Sequence, residues 1–236
     1  KTTGFLNGKF GIKGTFDKPD VGGKLNFNQV GFSPTMLGSY FTIDQKAISV
    51  TRQGIVFNSF SILDSAKNEL ILDGTAYTTN FVNYKLDLAL SATNFQALNS
   101  TKVNSKLFYG RFFFNTDLHI RGTEASPMVD GDLTVNENTR LTVVMPQNDP
   151  GVEEREGIVR FIDIDSLKID TTLLLVADSL SKSDLTGMDI SVNIEINKAA
   201  ELTLIVDEAN GDFLRMKGTA ELTGGIDPSG KTTLTG

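Results

Sequence analysis

From residue 85 the chain alternates with a period of two. Leu86, Leu88 and Leu90 fall on one side of an extended chain, and Lys85, Asp87, Ala89 and Ser91 on the other. Over 189–197 the same rule puts Ile190, Val192, Ile194 and Ile196 on one face, with Asp189, Ser191, Asn193, Glu195 and Asn197 opposite. Shorter echoes are Phe10 with Ile12, Phe41 with Ile43, Leu70 with Leu72, Leu118 with Ile120, and Leu202 with Leu204 and Val206. Each such strand has one dry and one wet face. Only 34–39 and 96–102 leave room for a short helical turn. The pattern predicts an all-β chain.

Turn signals separate the strands. Asn210-Gly211, between 202–206 and 213–216, predicts a hairpin; Asp73-Gly74, Asp130-Gly131 and Asp227-Pro228-Ser229-Gly230 are weaker turn signals. Residues 10–27 are echoed by 118–135. Ile12, Gly14, Thr15, Pro19, Val21, Gly23 and Leu25 align without gaps on Ile120, Gly122, Thr123, Pro127, Val129, Gly131 and Leu133. A Gly-Thr step recurs at Gly74-Thr75 and Gly218-Thr219. A repeated strand–turn–strand unit suggests stacking along one axis, and a hairpin signature arising twice is the alternative. Residues 146–157 are polar, acidic and Pro-bearing, which predicts a flexible loop. Over 163–185 strand-like and loop-like readings both stand.

Composition narrows the function. The 236 residues include 16 Phe, no Trp and no Cys, and carry a net charge of −7. That charge disfavours nucleic acid as a partner and argues against a basic patch on an anionic membrane. Without cysteine there are no disulfides, thiolate nucleophiles or Cys-based metal sites. The longest apolar runs, such as 173–177, are far shorter than the ~18–20 residues of a spanning helix. The 1–236 span is read as a single piece of a larger protein.

Catalytic groups are scarce. His119, the one histidine, shares its strand face with Asp117 and Arg121, where a solvated histidine belongs. The acidic run 207–212 resembles a calcium loop but lacks the later glutamate of an EF-hand and fits a hairpin tip. Asp130 with Asp132, and Asp163 with Asp165, are carboxylate pairs on strand faces and read as wet-face residues before glycosidase groups. No cofactor is expected, and the reading is of a protein that is not an enzyme.

The abundant feature is one-sided apolar strand. In a sandwich a second sheet covers such faces. In a curled open sheet they are left for a ligand, and each acyl methylene moved there from water gains ~0.8 kcal/mol. The groove candidates are Leu86, Leu88, Leu90, Phe112, Phe114, Leu118, Ile120, Ile190, Val192, Ile194 and Ile196.

Residues 37–146 carry a series of weak motifs in order. They are Leu37-Gly38-Ser39-Tyr40, Gly54-Ile55-Val56-Phe57, Phe60-Ser61-Ile62-Leu63-Asp64, Leu70-Ile71-Leu72-Asp73-Gly74, Asn94-Phe95, and Phe108-Tyr109-Gly110, closing at Met145-Pro146. This order resembles the C-terminal region of TamB, an AsmA-like envelope protein of Gram-negative bacteria. Asp149-Pro150-Gly151-Val152 and the run from Arg155 to Phe161 resemble its Bacteroidetes branch. The resemblance implies a long curled, mostly antiparallel sheet, a β-taco, with a hydrophobic inner groove. It also implies a periplasmic location, a parent anchored in the inner membrane, phospholipid transport toward the outer membrane, and a TamA-like barrel partner. It brings no catalytic residues.

Two functions follow as expectations. One is a conduit that binds phospholipid acyl chains. The other is an assembly scaffold whose strand edges pair with clients. End-to-end self-association suits exposed edges of either kind. A glycan-binding β domain is a third, disfavoured by the absence of Trp.

Overall fold

The computed structural model describes residues 1–15, 18–43, 46–144, 187–207 and 210–236. Among them fifteen strands join one sheet. In chain order these are β1 (Thr2–Thr15), β2 (Lys18–Phe32), β3 (Phe41–Ile43), β4 (Ala47–Thr51), β5 (Gly54–Leu63), β6 (Glu69–Tyr77), β7 (Lys85–Ser100) and β8 (Phe108–Thr123). Then come β9 (Ser126–Val135), β10 (Arg140–Val144), β11 (Asp189–Ile196), β12 (Glu201–Asp207), β13 (Asp212–Lys217), β14 (Ala220–Ile226) and β15 (Thr232–Thr235). The all-β, mostly antiparallel expectation holds. The sheet is mixed, because β9 with β11 and β10 with β12 run parallel.

Several of these strands share one position in the sheet. β4 lies beside the first half of β2 (Leu25 beside Ile48) and β3 beside its second half (Val30 beside Ile43); both then pair with β5. β9 and β10 likewise run antiparallel to the second and first halves of β8. β11 with β12, and β13 with β14, repeat the arrangement. Each of the last three pairs is one long strand interrupted at a corner, at 136–139, 197–200 and 218–219. Ile190 lies beside Val129 and Glu201 beside Arg140, so the same interval of 61 residues separates partners before and after the corner. The two corners therefore have equal length and stack in register.

The corners are built from polar side chains. Thr139 Oγ1 accepts the Phe113 N–H at 3.0 Å and donates to the Phe113 carbonyl at 3.1 Å. Asn136 Nδ2 donates to Asn115 Oδ1 (2.9 Å) and Asn94 Oδ1 (3.2 Å). Arg140 Nη1 donates to the carbonyls of Glu137, Thr139 and Ala199 at 2.9, 2.6 and 3.0 Å, tying the first corner to the second. Bulges continue the bend toward the other end of the sheet. Ser59 in β5 and Asn94 in β7 have φ of 46° and 51°. Each donates its backbone N–H to a side chain on the next strand, Asp73 Oδ1 at 2.6 Å and Asn115 Oδ1 at 2.7 Å. A bulge bends and twists its strand.

A row of phenylalanines packs along this line. Phe32, Phe41, Phe95 and Phe114 follow one another with ring centroids 5.5, 5.6 and 5.8 Å apart, and Phe112 stacks on Phe114 at 5.6 Å. Phe41, Ala92 and Phe95 form the buried cluster, with Leu37, Ile62 and Leu70 against it. Beside it the buried Asp64 accepts from the N–H groups of Ala66, Asn68 and Gln96 at 2.8, 2.9 and 2.9 Å. These bonds satisfy a carboxylate that burial would otherwise penalise.

The sequence echo is structural. Ile12 lies beside Val21 and Gly14 beside Pro19, as Ile120 lies beside Val129 and Gly122 beside Pro127. Two expectations need correction. Asp73-Gly74 and Asp130-Gly131 are inside β6 and β9, not at turns. Gly131 has φ 143°, and a Cβ there would strike the Asp117 carbonyl of the paired strand β8, so glycine permits a close backbone approach in place of a chain reversal. Of the two stretches with room for a short helical turn, 96–100 lie in β7, and 34–38 form a single hydrogen-bonded turn closed by the Pro34 carbonyl. The predicted hairpins at 210–211 and 227–230 join β12 to β13 and β14 to β15. The proposed loop at 146–157, the Asp163–Asp165 pair and the strands and loop of 163–185 lie outside the described residues.

Candidate functional site: one apolar face

Register assembles the groove candidates. Across β6, β7, β8, β9, β11, β14 and β15, Leu72, Leu90, Leu118, Gly131, Val192, Gly224 and Leu234 stand side by side. The next row is Gly74, Leu88, Ile120, Val129, Ile190 and Ile226. Leu86 stands beside Ala76, and Ile194 between Leu133 and Leu222. Phe114, Val135, Ile196 and Ala220 make another row, with Phe112 two residues from Phe114 on the same face. All the sequence candidates thus share one face and are half-buried.

The opposite face is polar. Asp117, Asp132 and Asn193 stand in one row, and Asn193 Nδ2 donates to Asp132 Oδ1 at 2.9 Å. Arg121 pairs with Asp130. His119 is exposed, 3.9 Å from Asp117. The two carboxylates weighed as a hydrolytic pair are thus bonded to neighbours on the wet side.

Beyond the corner the apolar face continues with Leu141, Leu202 and Met216 in one row. There the bend brings both arms around a cavity of about 480 Å³. Leu141, Leu202 and Met216 line it from one arm, and Val135, Ile196 and Leu222 from the other, with Phe112 at the crease. Its volume lies within the ~300–1,000 Å³ of small-ligand clefts. Of the sequence candidates only Phe112 and Ile196 line it; Ile194 borders a second, more polar hollow with Asp132, Asn193 and Glu221. The sequence reading missed Leu141 and Met216. The signal for Leu141 was a weak second echo, in which Asn136, Leu141 and Thr142 match Asn197, Leu202 and Thr203 at the 61-residue interval.

Among the described residues no group of three His, Cys, Asp or Glu side chains is placed to hold a metal ion. Among the described residues no helix is long and apolar enough to cross a membrane, which says nothing of β-barrels.

Fold and face define a class: a single, bent, one-sided β-sheet protein whose distinguishing surface is apolar. Residues 58–236, more than half of the chain, match the TamB C-terminal domain, and the chain belongs to the TamB family. That family is associated with translocation and assembly or with lipid transport in the cell envelope. No curated protein and no solved structure matches the chain.

Proposed function

We propose that this chain is a non-catalytic segment of a lipid conduit between membranes, holding phospholipid acyl chains along its apolar face. The observation that carries the reading is the row from Leu72 to Leu234 across seven strands, in which Leu72, Leu90, Leu118, Val192 and Leu234 supply the side chains and Gly131 and Gly224 stand between them, backed by a polar face. An acyl chain lying across such rows gains ~0.8 kcal/mol per buried methylene and needs no specific partner. The half-buried state of these side chains leaves surface to offer. In this reading the chain works in the periplasm, its parent is held in the inner membrane, and the TamA-like barrel is the outer-membrane partner.

Native mass spectrometry of the purified chain beside Val192→Asp tests it. Phospholipid that co-purifies with the parent and is lost from a still-folded variant supports the conduit. A protein that takes up no phospholipid overturns it. The second reading, an assembly scaffold acting by strand pairing, is favoured by β1, a strand of 14 residues exposed throughout its length.

A further inference from the structure

Asn followed by Gly occurs twice in the chain, at Asn7-Gly8 and Asn210-Gly211, and Asp followed by Gly twice, at Asp73-Gly74 and Asp130-Gly131. Each step holds the same latent reaction, because glycine has no Cβ to keep its nitrogen away from the preceding side-chain carbonyl carbon. Ring closure needs that stretch of backbone free to turn. Three of the four steps are held inside the sheet. Asn7 and Gly8 lie in β1 beside Asn26 and Leu25. Gly74 lies between Phe57 and Leu88, and the Asp73 carboxylate accepts the Ser59 N–H. Gly131 lies between Leu118 and Val192, and Asp130 pairs with Arg121. Asn210-Gly211 differs. It is the exposed tip of the β12–β13 hairpin, and nothing lies within 4 Å of where a Gly211 Cβ would stand.

We propose that Asn210 is a site of spontaneous deamidation that loosens the β12–β13 hairpin. The Gly211 nitrogen, its proton lost to hydroxide, attacks Asn210 Cγ. The Cγ–Nδ2 bond breaks, and Nδ2 leaves as ammonia after taking a proton from water. The cyclic imide then takes up one water and opens at either carbonyl, leaving aspartate or isoaspartate at 210. The change matters because of Asp207. Asn210 Nδ2 donates to Asp207 Oδ2 at 2.6 Å, and the Asn210 N–H donates to Asp207 Oδ1 at 3.1 Å. Asp207 stands opposite Asp212 in the ladder, so the amide brings a donor to a place where two acids face each other. An ionised carboxylate only accepts hydrogen bonds. Deamidation therefore replaces a donor by a third acid, and like charges opposed across a strand pair destabilise it. Isoaspartate also adds a backbone methylene to the turn that sets the Asp207–Asp212 register.

The experiment holds the purified 236-residue chain at mildly alkaline pH, folded in one sample and unfolded by urea in another. Peptide mapping by mass spectrometry, with electron-transfer fragmentation to tell isoaspartate from aspartate, follows both Asn-Gly steps over days. In urea the two are expected to convert at similar rates. In the folded chain 210 is expected to convert at least ~10-fold faster than 7, where conversion waits on local opening of β1 from β2. Isoaspartate is expected among the products. No conversion at 210 in the folded chain overturns the proposal, and so does equal conversion at 7 and 210. Aspartate without isoaspartate also overturns it, since direct hydrolysis does not pass through the Gly211 nitrogen. Anion exchange then separates the modified chain, in which faster hydrogen exchange confined to β12 and β13 is expected. Exchange identical to that of the parent overturns the loosening.

Discussion

Asn115 Oδ1 lies 2.7 Å from the backbone nitrogen of Asn94, the left-handed residue of the β7 bulge. The same oxygen accepts from Asn136 Nδ2 at 2.9 Å, at the corner between β9 and β10. One amide oxygen thus serves the two irregularities that bend the sheet. Asn115→Ala leaves the exposed Asn94 N–H to water in place of this acceptor and is expected to cost about 0.5–1.5 kcal/mol in urea unfolding. Asn115→Asp keeps the acceptor and is expected to lie close to the parent. Equal loss in both variants would show that the bulge does not need this oxygen.

Phe95 is buried between Phe41 and Phe114. Phe95→Ala removes the middle ring of the row and is expected to lower stability by about 3–5 kcal/mol in the same measurement. A loss under 1 kcal/mol would mean that the neighbouring rings close the gap, as follows from the spread seen for cavities that collapse.

Gly131 and Gly211 both have positive φ, at 143° and 78°. A Cβ at Gly131 strikes the Asp117 carbonyl, while at Gly211 nothing lies within 4 Å. Gly211→Ala is expected to cost only backbone strain, on the order of 1 kcal/mol. Gly131→Ala is expected to cost more and to spoil the Leu118–Gly131–Val192 row. Thermal melts that rank the two the other way would contradict the close approach of β8 to β9 at Gly131.

Asp20 accepts from Arg52 Nε and Nη2 at 2.8 and 2.5 Å, and this hydrogen bond is the main cause that holds its carboxyl below the usual 3.8. A depressed folded-state value stabilises above the unfolded value and stops doing so as pH falls through the folded one. Melting temperature is therefore expected to show this contribution at neutral pH and to lose it below about pH 3.8. Asp20→Asn is expected to flatten that part of the acid limb. An unchanged acid limb would assign it to other carboxylates such as Asp227, lowered by its bond from Ser229.

The dry face was legible in the sequence because parity alone decides which side of a strand a residue takes. Parity put Leu88, Ile120 and Ile190 on one face, and register then made them neighbours. It could not show that Leu118 stands against a glycine on the next strand, since pairing is a long-range property. Asp-Gly misled at 73–74 and 130–131 because the dipeptide marks a positive φ, which a bulge or close approach uses as readily as a turn. The cavity was hidden for a different reason. It arises where 136–139 and 197–200 interrupt the alternation, and an interruption in the pattern gives no direction of bend.

The single-sheet arrangement has a consequence for how the molecule comes apart. Each strand is in contact chiefly with the strand on either side, so cohesion is shared out link by link along the row. Away from the Phe41–Phe95 cluster, such a lattice has no centre whose loss brings down the rest. It opens from its borders, and β15, held by four residue pairs, is a far weaker border than the long β1–β2 hairpin. Wear starts at one margin and leaves the remainder standing, as a zip opens from its end.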